Sequence, residues 1–192
     1  LFLIFDMCSG GDLKFHLRNI QGCCFPVERA RLYAAEVMLG LDHIHSFSIV
    51  YRDLKPDNII LDSQGHVKIS DLGLSIKLRK NKILKHLAGT AGYWAPEIVE
   101  KSGTYFASDW WSFGVFVYEM LVGRRPRCSC KERELEWCPF GRSDKQEKNA
   151  QSPDGVLKLE LRLPDTLDGK AKDLLSKLFV RDVEARLGSK SV

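Results

Sequence analysis

The chain has 192 residues, 44% of them hydrophobic, which is enough for one sizeable core and one domain. Twenty-nine basic and 25 acidic residues leave a net charge of +4, too mild to mark a nucleic-acid or membrane-surface binder and compatible only with a modest preference for acidic substrates. No run of about 18 apolar residues occurs, so no segment is expected to span a bilayer and any membrane contact is expected to be peripheral. Cys8, Cys23, Cys24, Cys128, Cys130 and Cys138 fall in uneven clusters without a secretory signal, which predicts free thiols in a reducing, cytoplasmic compartment.

Along the chain, Leu1 to Phe5 reads as a short strand, followed by the break Ser9-Gly10-Gly11 and a short helix that Asp12 is placed to cap. From Pro26 to His45 the positions Val27, Ala30, Ala34, Met38, Leu41 and Ile44 recur at helical spacing, with Pro26 suited to the first turn. Asn58 to Leu61 and His66 to Ile69 read as β runs joined by Asp62-Ser63-Gln64-Gly65, a segment with hairpin-turn chemistry. Ser108 to Leu121 is apolar nearly all round and reads as a helix buried inside the domain. Arg127 to Pro153 is polar and without period, an exposed loop of unusual length. Leu161, Leu163 and Pro164 then lead into a helix over Lys170 to Phe179 with Ala171, Leu174, Leu175 and Leu178 on one face. The sum is an α+β domain, mainly helical, with small β hairpins.

The residues that carry chemistry are Tyr51-Arg52-Asp53-Leu54-Lys55-Pro56-Asp57-Asn58 and, thirteen residues on, Asp71-Leu72-Gly73. An isolated Arg-Asp pair is ordinarily a surface salt bridge, and Asp-Leu-Gly is ordinarily a turn. The ordered set of Asp53, Lys55, Asn58, Asp71, Gly73, Ala95-Pro96-Glu97, Asp109, Gly114 and Arg186 argues otherwise. At this spacing it resembles the carboxyl-terminal lobe of eukaryotic-type protein kinases, with Leu72 in place of the usual Phe of the metal-binding triplet.

The resemblance implies ATP- and Mg²⁺-dependent phosphoryl transfer, in which the protein mainly positions and neutralises a highly charged group. It casts Asp53 as the residue that orients the attacking hydroxyl, Lys55 as the cation at the γ-phosphate, and Asn58 and Asp71 as the Mg²⁺ ligands, with Arg52 holding the loop. Thr90 matches the hydroxyl that bonds Asp53 and Lys55 in serine/threonine kinases, so serine or threonine is the expected acceptor. On the nucleotide side, Asp6 and Met7 align with the hinge that binds the adenine edge, and Phe5 takes the gatekeeper position. Asp12 falls where the ribose is contacted, and Leu13 and Ile60 match the apolar floor under the base, although plain core packing also accounts for Phe5, Leu13 and Ile60 and both roles can hold together. Glu97 and Arg186 match a buried ion pair, and Asp109 matches the residue that holds the catalytic-loop backbone.

Tyr33 to His45, Ile49 to Ser75 and Arg181 to Gly188 look most like the G-protein-coupled receptor kinases, and Thr90 to Glu97 like their β-adrenergic branch. That likeness implies a protein substrate, possibly the tail of an activated receptor, and a cytoplasmic enzyme peripheral to the plasma membrane. The alternatives are a kinase of soluble proteins within the same wider group and a kinase-like scaffold without catalysis. Related kinases phosphorylate a Thr four residues before Thr90, a position that is His86 here, and Ser75 is the only hydroxyl between Leu74 and Gly89.

No glycine-rich phosphate loop, strand lysine or partner glutamate precedes Leu1, so residues 1–192 are expected to be the hinge and carboxyl-terminal lobe of a longer protein, inactive alone, with 127–153 as an inserted loop. Cys128, Cys130 and Cys138 in that loop lack a fourth ligand at good spacing, which argues against zinc.

Overall fold

The computed structural model describes residues 2, 4–78, 85, 87–123 and 163–189. The expectations placed on His86, on the 127–153 loop with its three cysteines and on Leu161 lie outside the described residues.

Phe2, Ile4 and Phe5 do not form the expected strand and are 97%, 99% and 78% exposed. A strand needs a ladder partner for its backbone groups, and none pairs with these residues among the described ones. Gly10 N–H donates to Leu61 O at 2.9 Å, while Leu61 N donates to Gly11 O at 2.9 Å. A Cβ on Gly10 would sit 2.5 Å from Leu61 Cβ, so only glycine allows this approach. Asp12 then caps Leu13–Asn19 (α1), its Oδ1 accepting from Phe15 N at 2.7 Å as its position before the helix predicts.

Val27–Ser46 (α2) follows, with the Pro26 carbonyl accepting its first helical bond from Ala30 N. Its buried face is Ala30, Tyr33, Val37, Leu41 and His45, one step round from the predicted stripe. Met38 is 42% exposed, and Ala34 and Ile44 are only partly buried. The apolar count misses Tyr33, which stacks edge-on against Phe25, and His45, which is buried because Asp109 receives it.

The two short sheets come next. Ile49–Val50 (β1) pairs antiparallel with the distant Ile76–Lys77 (β4), and Ile59–Leu61 (β2) pairs with Val67–Ile69 (β3) as the expected hairpin. In its turn, Asp62 Oδ1 accepts from Gln64 N and His66 N, and Gly65 takes φ 84°. These two bonds hold the Asp62 carboxyl below the usual carboxylate range.

Pro96–Val99 (α3) and Phe106–Val122 (α4) complete the centre. Fourteen of the seventeen α4 residues are buried, as a run that is apolar nearly all round predicts. Gly123, at φ 77°, ends the helix against the Cys23 carbonyl, where a Cβ would come within 2.7 Å. Gly169–Leu178 (α5), capped by Asp168, lays Leu175 and Leu178 on α4 with Ala171 and Leu174 partly buried beside them. Gly114 in α4 makes room for the end of α5, since a Cβ there would lie 3.0 Å from Phe179 Cε1. The core is thus α4 packed against α2 and α5, with Leu41, Trp111, Phe116, Met120, Leu175 and Leu178 at its heart. Each fully buried side chain of this size contributes roughly 1.5–3 kcal/mol. The architecture is the mainly helical α+β domain expected from the sequence, and no described helix is long and apolar enough to cross a membrane.

Candidate active site

The buried carboxylate of Asp109, on α4, fixes the loop that follows β1. Its Oδ2 accepts from Tyr51 N at 2.7 Å and its Oδ1 from Arg52 N at 2.8 Å. These bonds hold Arg52 at φ 72°, a conformation costly for a residue with a Cβ. His45 Nε2 lies 2.7 Å from the same Asp109 Oδ2, with both side chains fully buried. The sequence reading assigned Asp109 but not His45. The available signal was phase, because His45 continues the Tyr33, Val37, Leu41 spacing, and a buried polar ring requires a partner. Arg52 Nε in turn donates to Leu74 O at 2.6 Å, tying the loop to the segment after Asp71. Gly89 closes over it, because a Cβ at that residue, whose φ is 94°, would meet Arg52 O at 2.2 Å.

Asp53 sits at the centre of a closed set of bonds. Thr90 Oγ1 donates to Asp53 Oδ1 at 2.6 Å, Lys55 Nζ donates to Asp53 Oδ2 and to Thr90 Oγ1, both at 2.8 Å, and Asn58 Nδ2 donates to Asp53 Oδ2 at 2.9 Å. The carboxylate is nearly buried, and the ammonium that neutralises it is only partly so. A carboxylate held by three donors is oriented in advance, with a cation beside it for incoming negative charge.

Asn58 and Asp71 are brought together by the β2–β3 ladder. The Asn58 carbonyl accepts from both Ser70 N and Ser70 Oγ at 2.9 Å, one residue before Asp71. Asn58 Nδ2 also donates to Asp53 O, which commits the amide nitrogen and turns the amide oxygen away from Asp53. Asp71 stands at φ 52° with an exposed carboxylate whose Oδ1 accepts from Gly73 N at 3.0 Å. Tyr51 braces the pair from below, its hydroxyl donating to Ser70 O at 2.5 Å. Burial first, then the Asp53, Asp71 and Asp109 carboxylates, push that phenol well above its ordinary range, so it remains a donor. Among the described residues, no group of three or more His, Cys, Asp or Glu side chains forms a metal site by itself. An amide oxygen and one carboxylate suit Mg²⁺, which keeps several waters and takes phosphate oxygens.

Of the residues assigned to the nucleotide, Asp12 and Ile60 face each other across an isolated β-bridge. Ile60 is partly exposed, whereas Leu13 is 0% exposed and packs in the core, so Leu13 presents no surface to a base. Asp6 and Met7 are exposed and precede the first described element. A second buried network escaped the sequence reading: Lys14 on α1 and the Tyr93 hydroxyl both donate to the Glu119 carboxylate on α4. Its three members are 26 to 105 positions apart, too far for any local pattern to join them.

Glu36 on α2 ties the hairpin down, its Oε1 2.6 Å from His66 Nδ1 and its Oε2 accepting from Val67 N. The hydrogen bond to Glu36 and its charge hold the His66 pKa above the ordinary 6.5. The sign follows from linkage: this tie contributes its stability fully below pH 6.5 and loses it as pH rises through the raised folded value. An NMR titration should therefore place the His66 midpoint above 6.5, and Glu36→Gln should return it toward that value.

The protein kinase domain family matches residues 1–192, the whole chain. G protein-coupled receptor kinase 2 of Drosophila melanogaster is 38% identical over 192 residues, covering 100% of this chain and 25% of that protein. G protein-coupled receptor kinase 1 of Caenorhabditis elegans is 49% identical over 133 residues, 69% of this chain and 21% of that protein. Ribosomal protein S6 kinase alpha-2 of Homo sapiens is 42% identical over 190 residues, 98% of this chain and 23% of that protein. The chain thus spans about a quarter or less of the length of these three relatives. With a family match over its full length and these bonds around Asp53, Asn58 and Asp71, the chain belongs to the protein kinase family.

Proposed function

We propose that residues 1–192 form the hinge and carboxyl-terminal lobe of a serine/threonine protein kinase that transfers the γ-phosphate of ATP to protein hydroxyls, those of activated G-protein-coupled receptors. The observation that carries this reading is the closed set Asp53–Lys55–Thr90, a hydroxyl-orienting carboxylate with a phosphate-facing cation held by a threonine. Asp53 accepts the hydrogen bond of the acceptor hydroxyl and aims its oxygen, and Lys55 offsets the negative charge that gathers beside it. Asn58 and Asp71 offer the oxygens for Mg²⁺, which when bound neutralises the phosphate oxygens. On this reading the backbone at Asp6 and Met7 meets the adenine edge, Asp12 the ribose and Ile60 the face of the base.

The receptor assignment is supported by two of the relatives above, by Leu72 in the metal triplet and by the histidine four residues before Thr90. The match to the S6 kinase favours a second reading, the same chemistry on soluble proteins. A cytoplasmic enzyme that meets the plasma membrane peripherally fits the first reading, as do the free thiols of Cys8, Cys23 and Cys24.

The test is phosphate transfer from ATP by the full-length protein to a receptor-tail peptide and to a general acidic substrate, with Asp71→Asn alongside. Transfer should be Mg²⁺-dependent, fall by at least about a hundredfold in the variant and favour the receptor peptide. Equal use of both substrates would move the assignment to soluble targets. No transfer and no nucleotide binding by the folded protein would leave a scaffold.

A further inference from the structure

Behind the catalytic loop, the side chains of Arg52, Ile98, Thr104, Ser108, Asp109 and Ser112 line a recess whose cavity volume is ≈ 10 Å³. Most of its polar atoms are already committed. Both Asp109 oxygens accept from the loop backbone, Ser108 Oγ donates to Glu97 Oε1 and accepts from Tyr105 N, and Ser112 Oγ donates to Tyr93 O at 2.8 Å. Two atoms are not: Arg52 Nη1 and Thr104 Oγ1 are both buried and have no hydrogen-bond partner among the described residues. A guanidinium N–H and a hydroxyl shut away from bulk solvent are too costly to leave unpaired. They come from segments 52 residues apart and line the same recess.

We infer that this recess is a binding site for one water molecule, which accepts from Arg52 Nη1, exchanges a hydrogen bond with Thr104 Oγ1 and finds a further acceptor in the lone pairs of Ser112 Oγ. The volume corresponds to about one water, and the polar lining supplies the two to four partners that a buried water requires. Phosphate or a carboxylate group is too large for it. Arg52 thereby gains a second anchor besides its Nε bond to Leu74 O, so the guanidinium beneath the catalytic loop is fixed from both ends. The water joins that loop to the segment that leads into α4, a connection that no direct protein bond among the described residues makes for Thr104.

The test is a crystal structure of the full-length protein at a resolution that shows ordered waters, paired with NMR cross-relaxation between water and the Thr104 γ-methyl. A single peak within hydrogen-bond distance of both atoms and a water-to-methyl cross-peak are expected. Thr104→Val keeps the shape and removes the hydroxyl, so the peak should be lost and neither valine methyl of the variant should show a cross-peak to water. A dry recess, a side chain filling it, or a halide there that persists in Thr104→Val would overturn the inference. Should the variant fail to fold, the unsubstituted protein decides the matter alone, and neither readout depends on phosphate transfer.

Discussion

Asp53→Asn in the full-length protein is expected to leave ATP binding unchanged and to lower phosphate transfer by about 10²- to 10⁴-fold, the range for loss of a positioned proton acceptor. The substitution keeps the size of the side chain and one of the two acceptor oxygens that Thr90 and Lys55 use separately, and Asp109 still holds the backbone of the loop in place. What it removes is the negative charge that draws the acceptor hydroxyl's proton and the partner that Lys55 neutralises. Steady-state kinetics at saturating ATP, with nucleotide affinity measured separately, distinguish this from a folding defect. Full activity in the variant would show that Asp53 only supports its neighbours, and the assignment of the site would fall with it.

Glu97→Ala is expected to destabilise the domain by about 3–5 kcal/mol, because it leaves a charge buried without its partner. Arg186 Nη1 and Nη2 donate to the two Glu97 oxygens at 2.7 and 2.9 Å, Nη1 also donates to Ala107 O at 2.7 Å and Nε to Val180 O at 2.8 Å, with the guanidinium 5.1 Å from the centre of the Trp111 ring. Both side chains are almost wholly buried, so solvent offers little compensation. Denaturant unfolding of the full-length protein followed by tryptophan fluorescence measures the loss. The paired replacement Glu97→Leu with Arg186→Met should cost much less than Glu97→Ala, because neither charge is then stranded. Equal losses in both would mean that shape, and not charge pairing, holds this corner.

Features set by local periodicity or by a short motif were legible in the sequence. The α4 run, the β2–β3 turn and the Asp12 cap each depend on neighbours a few residues apart, and the structure has them where the sequence puts them. The α2 face lies one step round from the expected stripe: Val37 is buried where Ala34 and Met38 are expected, and Tyr33 and His45 join it because the distant Phe25 and Asp109 receive them. The strand expected at Leu1 to Phe5 had the composition of a strand, but composition does not supply a second strand to bond with. At two residues each, β1 and β4 are too short to have a period and depend on pairings across 26 and 28 positions. In the site, Asp53, Lys55, Asn58 and Thr90 could be named through resemblance to a family. Lys14, Tyr93 and Glu119 could not, since only folding makes them neighbours.

The burial of α4 on nearly every side also sets how this domain opens. Helix amides with no solvent-facing side exchange their hydrogens only when the surrounding structure comes apart, whereas a two-residue ladder such as β1–β4 opens by itself. Deuterium uptake at Trp111 to Met120 should then report the unfolding of the whole domain, and uptake at Ile49 and Ile76 a local fluctuation. The axis of the fold would serve as its internal clock, and the catalytic loop, fastened to that axis through Asp109, would keep the slower time.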